Sequence, residues 1–398
     1  MTVYLDHAAT SPMPPEILAA YTEALRVVGN PASIHGAGQA ARELLESGRD
    51  AVAASIGADP AEVVLTGGGT ESVNLAIKGL FWASRDRIRP RRRIIVPLAE
   101  HHATIDTVEW LAAREGAILE WVPVDELGRI RLDALESALA AHGDEVALVT
   151  ALWANNEVGT IQPVHEIAAL ARRFDVPLHL DAIAAYGQVP IDVHGVGAAA
   201  LSLAAHKIGG PVGVGALYLA RSAVVEPLLH GGSQQRARSG TQDAAGAAAF
   251  GAAAARAVGD LAGRVARMAT LRDRLVAGIR ATVPDAVLRG DPRDRLPSNA
   301  HVTFPGCEGD SLLFLLDVAG FAVSTGSACT AGVTEPSHVL LAMGLPEDVA
   351  RGALRFTVGD DTTQEEVDAL LASLPAVVAQ ARAAGLASRP PRIYGARD

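Results

Sequence analysis

Short runs rich in Val, Ile and Leu recur along the chain at 62–66 (EVVLT), 93–98 (RIIVPL), 146–153 (VALVTALW), 176–182 (VPLHLDA) and 212–220 (VGVGALYLA). Runs of this length, bounded by Gly, Pro and Asn, predict buried strands. Between them lie segments of helical period such as TESVNLAIKGLFWA and PVHEIAALARRF. Strands alternating with helices predict an α/β fold with a large, mainly parallel sheet and a ligand site at the carboxyl ends of its strands. In LSLAAHKIGGPVGVGALYL the chain leaves one strand near Ala204 and enters another near Val214, which sets Lys207 at a strand end. After Gln242 the pattern changes to a long Ala-rich helix, then NAHVTF, CEGDSLLFLLDVAG, LRFTVGD and a last helix near Thr363. This predicts a large domain over 12–255, a smaller α+β domain from 1–11 and 256–385, and a disordered Pro- and Arg-rich tail over 386–398.

The residues just after each run carry the candidate chemistry. Gly67 to Ser72, GGGTES, opens a helix. Glycines such as Gly69 let backbone N–H groups approach an anion at the positive end of that helix, so the stretch is a candidate phosphate cradle. A plain helix cap by Thr70, with Glu71 in the first turn, explains it equally well. His101 and His102 follow the second run, where an aromatic face or proton carrier is more plausible than a metal site, since no HExxH motif or cysteine cluster completes a ligand set. Asn156 and Asp181 follow the third and fourth runs and suit two edges of one heterocycle, with Asp181 keeping a pyridine nitrogen protonated. Lys207 either snorkels to water or forms a Schiff base with a carbonyl cofactor. Separately these signals are weak, but together they converge on pyridoxal phosphate.

Composition narrows the partners. The net charge of -11 argues against a polyanion as main partner, and the basic run at 85–93 reads as a solvated turn. No uninterrupted apolar run is long enough to cross a bilayer, and the N-terminus has no basic region followed by an apolar one. A soluble cytoplasmic protein with no membrane partner is expected. Two cysteines, Cys307 and Cys329, are too few for a disulfide framework in 398 residues.

The motifs YLDHAAT, GNPASIH, TGGGTESVNLAIKG, EHHAT, ANNEVGTIQP, HKIGGPVGVGALY, RSGT, STGSACTAGVTEPSHVLLAMG and LRFTVG resemble those of the cysteine desulfurases. These are pyridoxal-phosphate enzymes of the class V aminotransferase group, with the aspartate-aminotransferase-like fold (fold type I), and the resemblance runs from about Val3 to about residue 375. It implies conversion of L-cysteine to L-alanine with sulfur transfer to an enzyme persulfide, in the branch that serves iron–sulfur cluster assembly and tRNA thiolation. It implies Lys207 as the Schiff-base lysine, Asp181 on the pyridine nitrogen, His101 stacked on the ring and moving protons, and Asn156 on the ring hydroxyl. Gly69, Thr70 and His206 would hold the phosphate of pyridoxal 5'-phosphate, with Thr241 reaching it from the other subunit of a homodimer. Arg355 would bind the substrate carboxylate. Cys329, on a loop of the smaller domain, would be the thiolate nucleophile that passes sulfur to an acceptor or scaffold protein.

Two positions depart from the family. Ala184 stands where Gln usually donates to the ring oxygen, and Ala204 where Ser usually meets the phosphate; HGGSQQRARSGT is also about one residue shorter than usual. The departures keep open a diverged lyase or a dedicated sulfur donor acting on another cysteine-like substrate. A weak scaffold and a thiol hydrolase using Cys329 rank lower, because Lys207, Asp181, His101, Arg355 and Cys329 are all present.

Overall fold

The computed structural model describes residues 2–85, 90–326 and 335–387. In chain order its strands are β1 (Val3–Tyr4), β2 (Val63–Thr66), β3 (Arg93–Pro97), β4 (Ile118–Val122), β5 (Val146–Leu152), β6 (Leu178–Asp181), β7 (Ala200–Ala204), β8 (Gly215–Leu219), β9 (Val287–Arg289), β10 (Asn299–Thr303), β11 (Phe321–Ala322) and β12 (Ala353–Thr357). Seven of them form one sheet in the order β2-β8-β7-β6-β5-β3-β4. Only β8 runs against its neighbours, so β2, β3, β5, β6 and β7 all end on the same edge. Each apolar run of the sequence yields a strand, and β5 is buried at every position, as a central strand covered on both faces must be. The edge strand β4 escapes the pattern because ILEWV is half exposed and carries Glu120.

The faces of this sheet are covered by helices. Gly36–Ser55 and Ala244–Gly259 cross on one of them at backbone contact, where a Cβ on Gly48 would stand 2.2 Å from the Ala247 carbonyl oxygen. The long Ala-rich helix expected after Gln242 is in fact two helices, Ala244–Gly259 and Leu261–Thr282. They separate at Asp260, whose carboxylate accepts the Gly263 N–H at 3.2 Å and caps the second.

A separate apolar core holds Leu5, Leu275, Ala300, Leu354 and Phe356 beside the antiparallel sheet β12-β10-β9. The opening strand β1 pairs in parallel with β11 at this core. The last helix, Gln364–Ala387, starts with a reciprocal cap between Thr363 and Glu366. It takes in residues 386 and 387, which the sequence assigned to the tail; 388–398 lie outside the described residues. Over Gln364–Ala384 this helix is long and apolar enough to cross a membrane by length and composition alone, although Glu365, Glu366, Asp368 and Arg382 interrupt it. The apolar residues serve a core instead: Val367, Leu370, Leu374, Val378 and Ala381, three or four apart, are buried there.

Candidate active site

The shared edge of the large sheet opens on a cavity of about 370 Å³. Gly69, Thr70, His101, Asn156, Asp181, Ala184, His206, Lys207 and Arg355 all reach it, although they come from five strand ends and from β12. Thr241 is exposed and does not line it in this chain. Cys329 lies outside the described residues.

Lys207 follows β7 in the short turn Ala205–Ile208 and donates from Nζ to the carbonyls of Ala8 and Ala9, the latter at 3.1 Å. It thus spans from the large sheet to the N-terminal motif rather than reaching out to bulk water. Burial, reinforced by the Arg355 charge, pulls its pKa down to about 8 against the opposing pull of Asp181 and Asp6. Such an amine is neutral often enough near physiological pH to attack a carbonyl. Asp181 ends β6 and is 2% exposed. Burial raises its pKa to about 6, held back by the Ile183 N–H at 2.9 Å and by Lys207.

His101 serves as the N-cap of the helix His102–Glu115, its Nδ1 accepting the Ala103 N–H at 3.0 Å. The neutral ring therefore carries its proton on Nε2. The ring is exposed to the cavity, and desolvation by the surrounding protein, then the charges of Lys207, His102 and His338, lowers its pKa to about 4. His206 is pushed the same way, to about 4, by burial and Lys207, and its Nδ1 lies 3.4 Å from Thr10 Oγ1.

At the end of β2 the helix Gly69–Arg85 begins without a threonine cap: Thr70 Oγ1 has no partner among the described residues, while Glu71 accepts the Gly67 N–H at 2.7 Å and Arg238 Nε at 3.0 Å. A Cβ at 69 would stand 2.4 Å from Ile183 Cδ1, so a side chain there would require Ile183 to shift, and glycine leaves this helix start close against the cavity wall. Ala204, by contrast, is fully buried and is not part of that wall.

Arg355 is 5% exposed in the middle of β12. Nη1 donates to the Asn156 carbonyl and Nη2 to Asp6, both at 2.9 Å, whereas Nε has no partner among the described residues. A buried guanidinium that lines the cavity suits a carboxylate. The Asp181 carboxylate to pair with a pyridine nitrogen, a glycine helix start to meet a phosphate and a lysine of lowered pKa together fit pyridoxal phosphate.

Glu157 and His338 line the same cavity and Glu100 is bonded to His338 through its carbonyl; the sequence motifs assign none of the three a role. Glu100 is 1% exposed, accepts the Leu152 N–H at 2.8 Å and is pushed by burial up to about 8. Glu157 is pushed to about 7 by burial, against the Ser337 hydroxyl and the Arg355 charge. His338 donates from Nε2 to the Glu100 carbonyl at 2.8 Å and meets His102 edge to face, 4.8 Å between ring centres. The available signal was a carboxylate inside each strand-end motif, AEHHAT and ANNEVGT. No group of three or more His, Cys, Asp or Glu that could hold a metal occurs among the described residues. In the basic run, Arg85 pairs with Glu115, Arg91 with Asp175, and Arg93 with Glu120 and Glu145.

The model of the aminotransferase class-V family matches residues 3–370. An IscS-like cysteine desulfurase of Mycobacterium tuberculosis is 51% identical over 97% of this chain and 98% of its own. A solved NifS-like protein superposes with a TM-score of 0.88 at 34% identity, over 96% of this chain and all of the other. The structure of SspA in complex with cysteine superposes with a TM-score of 0.78 at 29% identity, covering 91% of this chain and 100% of that one. The chain therefore belongs to the class-V aminotransferases, within the cysteine desulfurases.

Proposed function

We propose that this protein is a cysteine desulfurase that uses pyridoxal 5'-phosphate to convert L-cysteine to L-alanine. The observation that carries the reading is the meeting of Asp181, Lys207 and Arg355 at one cavity. Bound there, the cofactor would supply a protonated ring that stabilises negative charge on the substrate's α-carbon. Lys207 would join its carbonyl, Asp181 hold the ring nitrogen, Asn156 meet the ring hydroxyl and His101 cover the ring face. The helix start at Gly69 and Thr70, with His206, would take the phosphate. His101 has Nδ1 committed to its helix, so the proton it can give or recover sits on Nε2. Arg355 would bind the substrate carboxylate with its guanidinium.

The Cys329 thiolate then attacks the substrate sulfur: the S–S bond forms, the Cβ–S bond breaks, and its electron pair stays with the carbon skeleton that is protonated to alanine. The persulfide so formed passes its outer sulfur to an acceptor or scaffold protein for iron–sulfur cluster assembly or thiolation, or to an added reductant. Homodimerisation completes the site, with Thr241 of a second copy on the phosphate; its exposure in the single chain supports this. We place the division between a large and a small domain at Asp260, because Ala257 packs in the first core and Met268 in the second. The few cysteines and the need for a reduced thiol favour the cytoplasm.

The test is alanine and sulfide release from L-cysteine with reductant and added pyridoxal phosphate, compared with Cys329→Ala. Equal amounts of both products, lost in the variant, are expected. No alanine from protein that retains the visible absorption of bound cofactor would sink the reading and favour another amino-acid substrate.

A further inference from the structure

Glu157, which lines the cavity, and Ser337 are 180 residues apart in sequence, and both are buried, at 3% and 2% exposure. The Ser337 hydroxyl donates to Glu157 Oε2 at 2.5 Å. The Ser337 hydroxyl oxygen in turn accepts the Leu340 N–H at 3.2 Å, which makes Ser337 the N-cap of the helix His338–Ala342. That helix packs Val339 and Leu340 against Ala99 and Val158, beside the ends of β3 and β5. Glu157 is fixed from behind: its N–H goes to Asn155 Oδ1 and its carbonyl accepts from Asn299, both at 2.9 Å. Glu157 lines the cavity, and the adjacent Asn156 carbonyl is the one that holds Arg355 Nη1.

A serine cap needs only its lone pair, and an apolar side chain would fill the space of Glu157 without the desolvation of a buried carboxyl. From this juxtaposition, and resting on the desulfurase reading for the role of Arg355, we propose that Glu157 is a positioning residue. It couples the guanidinium that binds the substrate carboxylate to the N-cap of the helix His338–Ala342. One carboxyl thereby sets the place of the substrate and of the described chain that follows the Cys329 segment. The His338 contact with the Glu100 carbonyl fixes the same helix at a second point.

The two arms separate by substitution in the cofactor-loaded full-length protein. Glu157→Gln keeps an acceptor for the Ser337 hydroxyl but loses the charge, so KM for L-cysteine rises at least threefold while kcat stays within threefold. Ser337→Ala lowers kcat about tenfold with KM within twofold, and Ser337→Thr restores kcat to within twofold. Because the two groups act through one contact, Glu157→Ala with Ser337→Ala is no slower than Glu157→Ala alone. Amide exchange over 338–342 accelerates in Glu157→Ala and stays at the parental rate in Glu157→Gln. Unchanged kcat in Ser337→Ala, multiplied losses in the double variant, or unchanged exchange in Glu157→Ala would overturn the proposal. If the parent makes no alanine at all, the desulfurase reading fails, and the exchange comparison decides the Glu157 contact by itself.

Discussion

Ala184 and Ala204 are the two positions where this chain lacks a polar group usual in its family, and the structure separates them. Ala184 lines the cavity, whereas Ala204 is fully buried outside its wall. A hydrogen bond to a charged group contributes about 1.5–3 kcal/mol. Ala184→Gln is therefore expected to slow loss of pyridoxal phosphate roughly tenfold or more on dialysis, followed by absorbance, and Ala204→Ser to change it far less. Equal effects would mean that both side chains reach the phosphate or ring. Lys207 supports a second expectation. Its pKa in the folded protein, about 8, lies below the ordinary lysine value of about 10.4. Between these values the unfolded chain binds more protons, so stability rises with pH through that window. In the cofactor-free protein, Lys207→Met should withstand more urea than the parent at pH 7, with the gap closing as pH approaches the ordinary lysine value. Equal midpoints at pH 7 would show that the Ala8 and Ala9 carbonyls fully compensate the buried ammonium.

The helices Gly36–Ser55 and Ala244–Gly259 owe their contact to absent side chains. A Cβ on Gly48 would meet the Ala247 carbonyl at 2.2 Å, and one on Gly251 would meet Gly48 Cα at 2.7 Å. Gly48→Ala must push the helices apart and is expected to destabilise by about 1–3 kcal/mol in denaturant melts. Gly259, with open space around its Cβ position, is the control: Gly259→Ala should be neutral or stabilising by up to about 1 kcal/mol. Equal losses at both positions would place the effect in helix propensity rather than in packing. These helices also show where a sequence pattern misleads. Ala-rich periodicity runs through Asp260 without a break, yet the carboxylate that caps the second helix ends the first.

Asp360 bridges the two cores, pairing with Arg256 of the helix Ala244–Gly259 and with Arg264. Burial raises its pKa, but the two guanidiniums outweigh that and hold it below the usual carboxylate range. A carboxylate so lowered contributes stability above the ordinary value of about 3.9 and loses it as pH falls through its own lower value. Asp360→Asn should therefore lower the thermal midpoint at pH 7, by the equivalent of about 1 kcal/mol after screening by water, and match the parent in acid. A deficit that persists at low pH would point to lost packing instead of lost charge.

The alternation of strands and helices, the strand ends that carry Asp181 and Lys207, and the residue types of the site were legible in the chain itself. Each rests on local pattern: a buried strand must be an apolar run, and a residue just after it must lie at the sheet's edge. The half-exposed β4, the break at Asp260 and the core-facing use of the last helix were not legible, because neighbours distant in sequence decide them. The same holds for the chemistry of the site. The chain by itself pointed to Asp181 and Lys207 at the sheet's edge; only the tertiary structure decided that His101 caps a helix, that Arg355 is held by Asn156 and Asp6, and that Glu157 meets Ser337. The physical reason is that burial and pairing across some two hundred residues set the charge and direction of a polar side chain, and neither is written in its immediate neighbours.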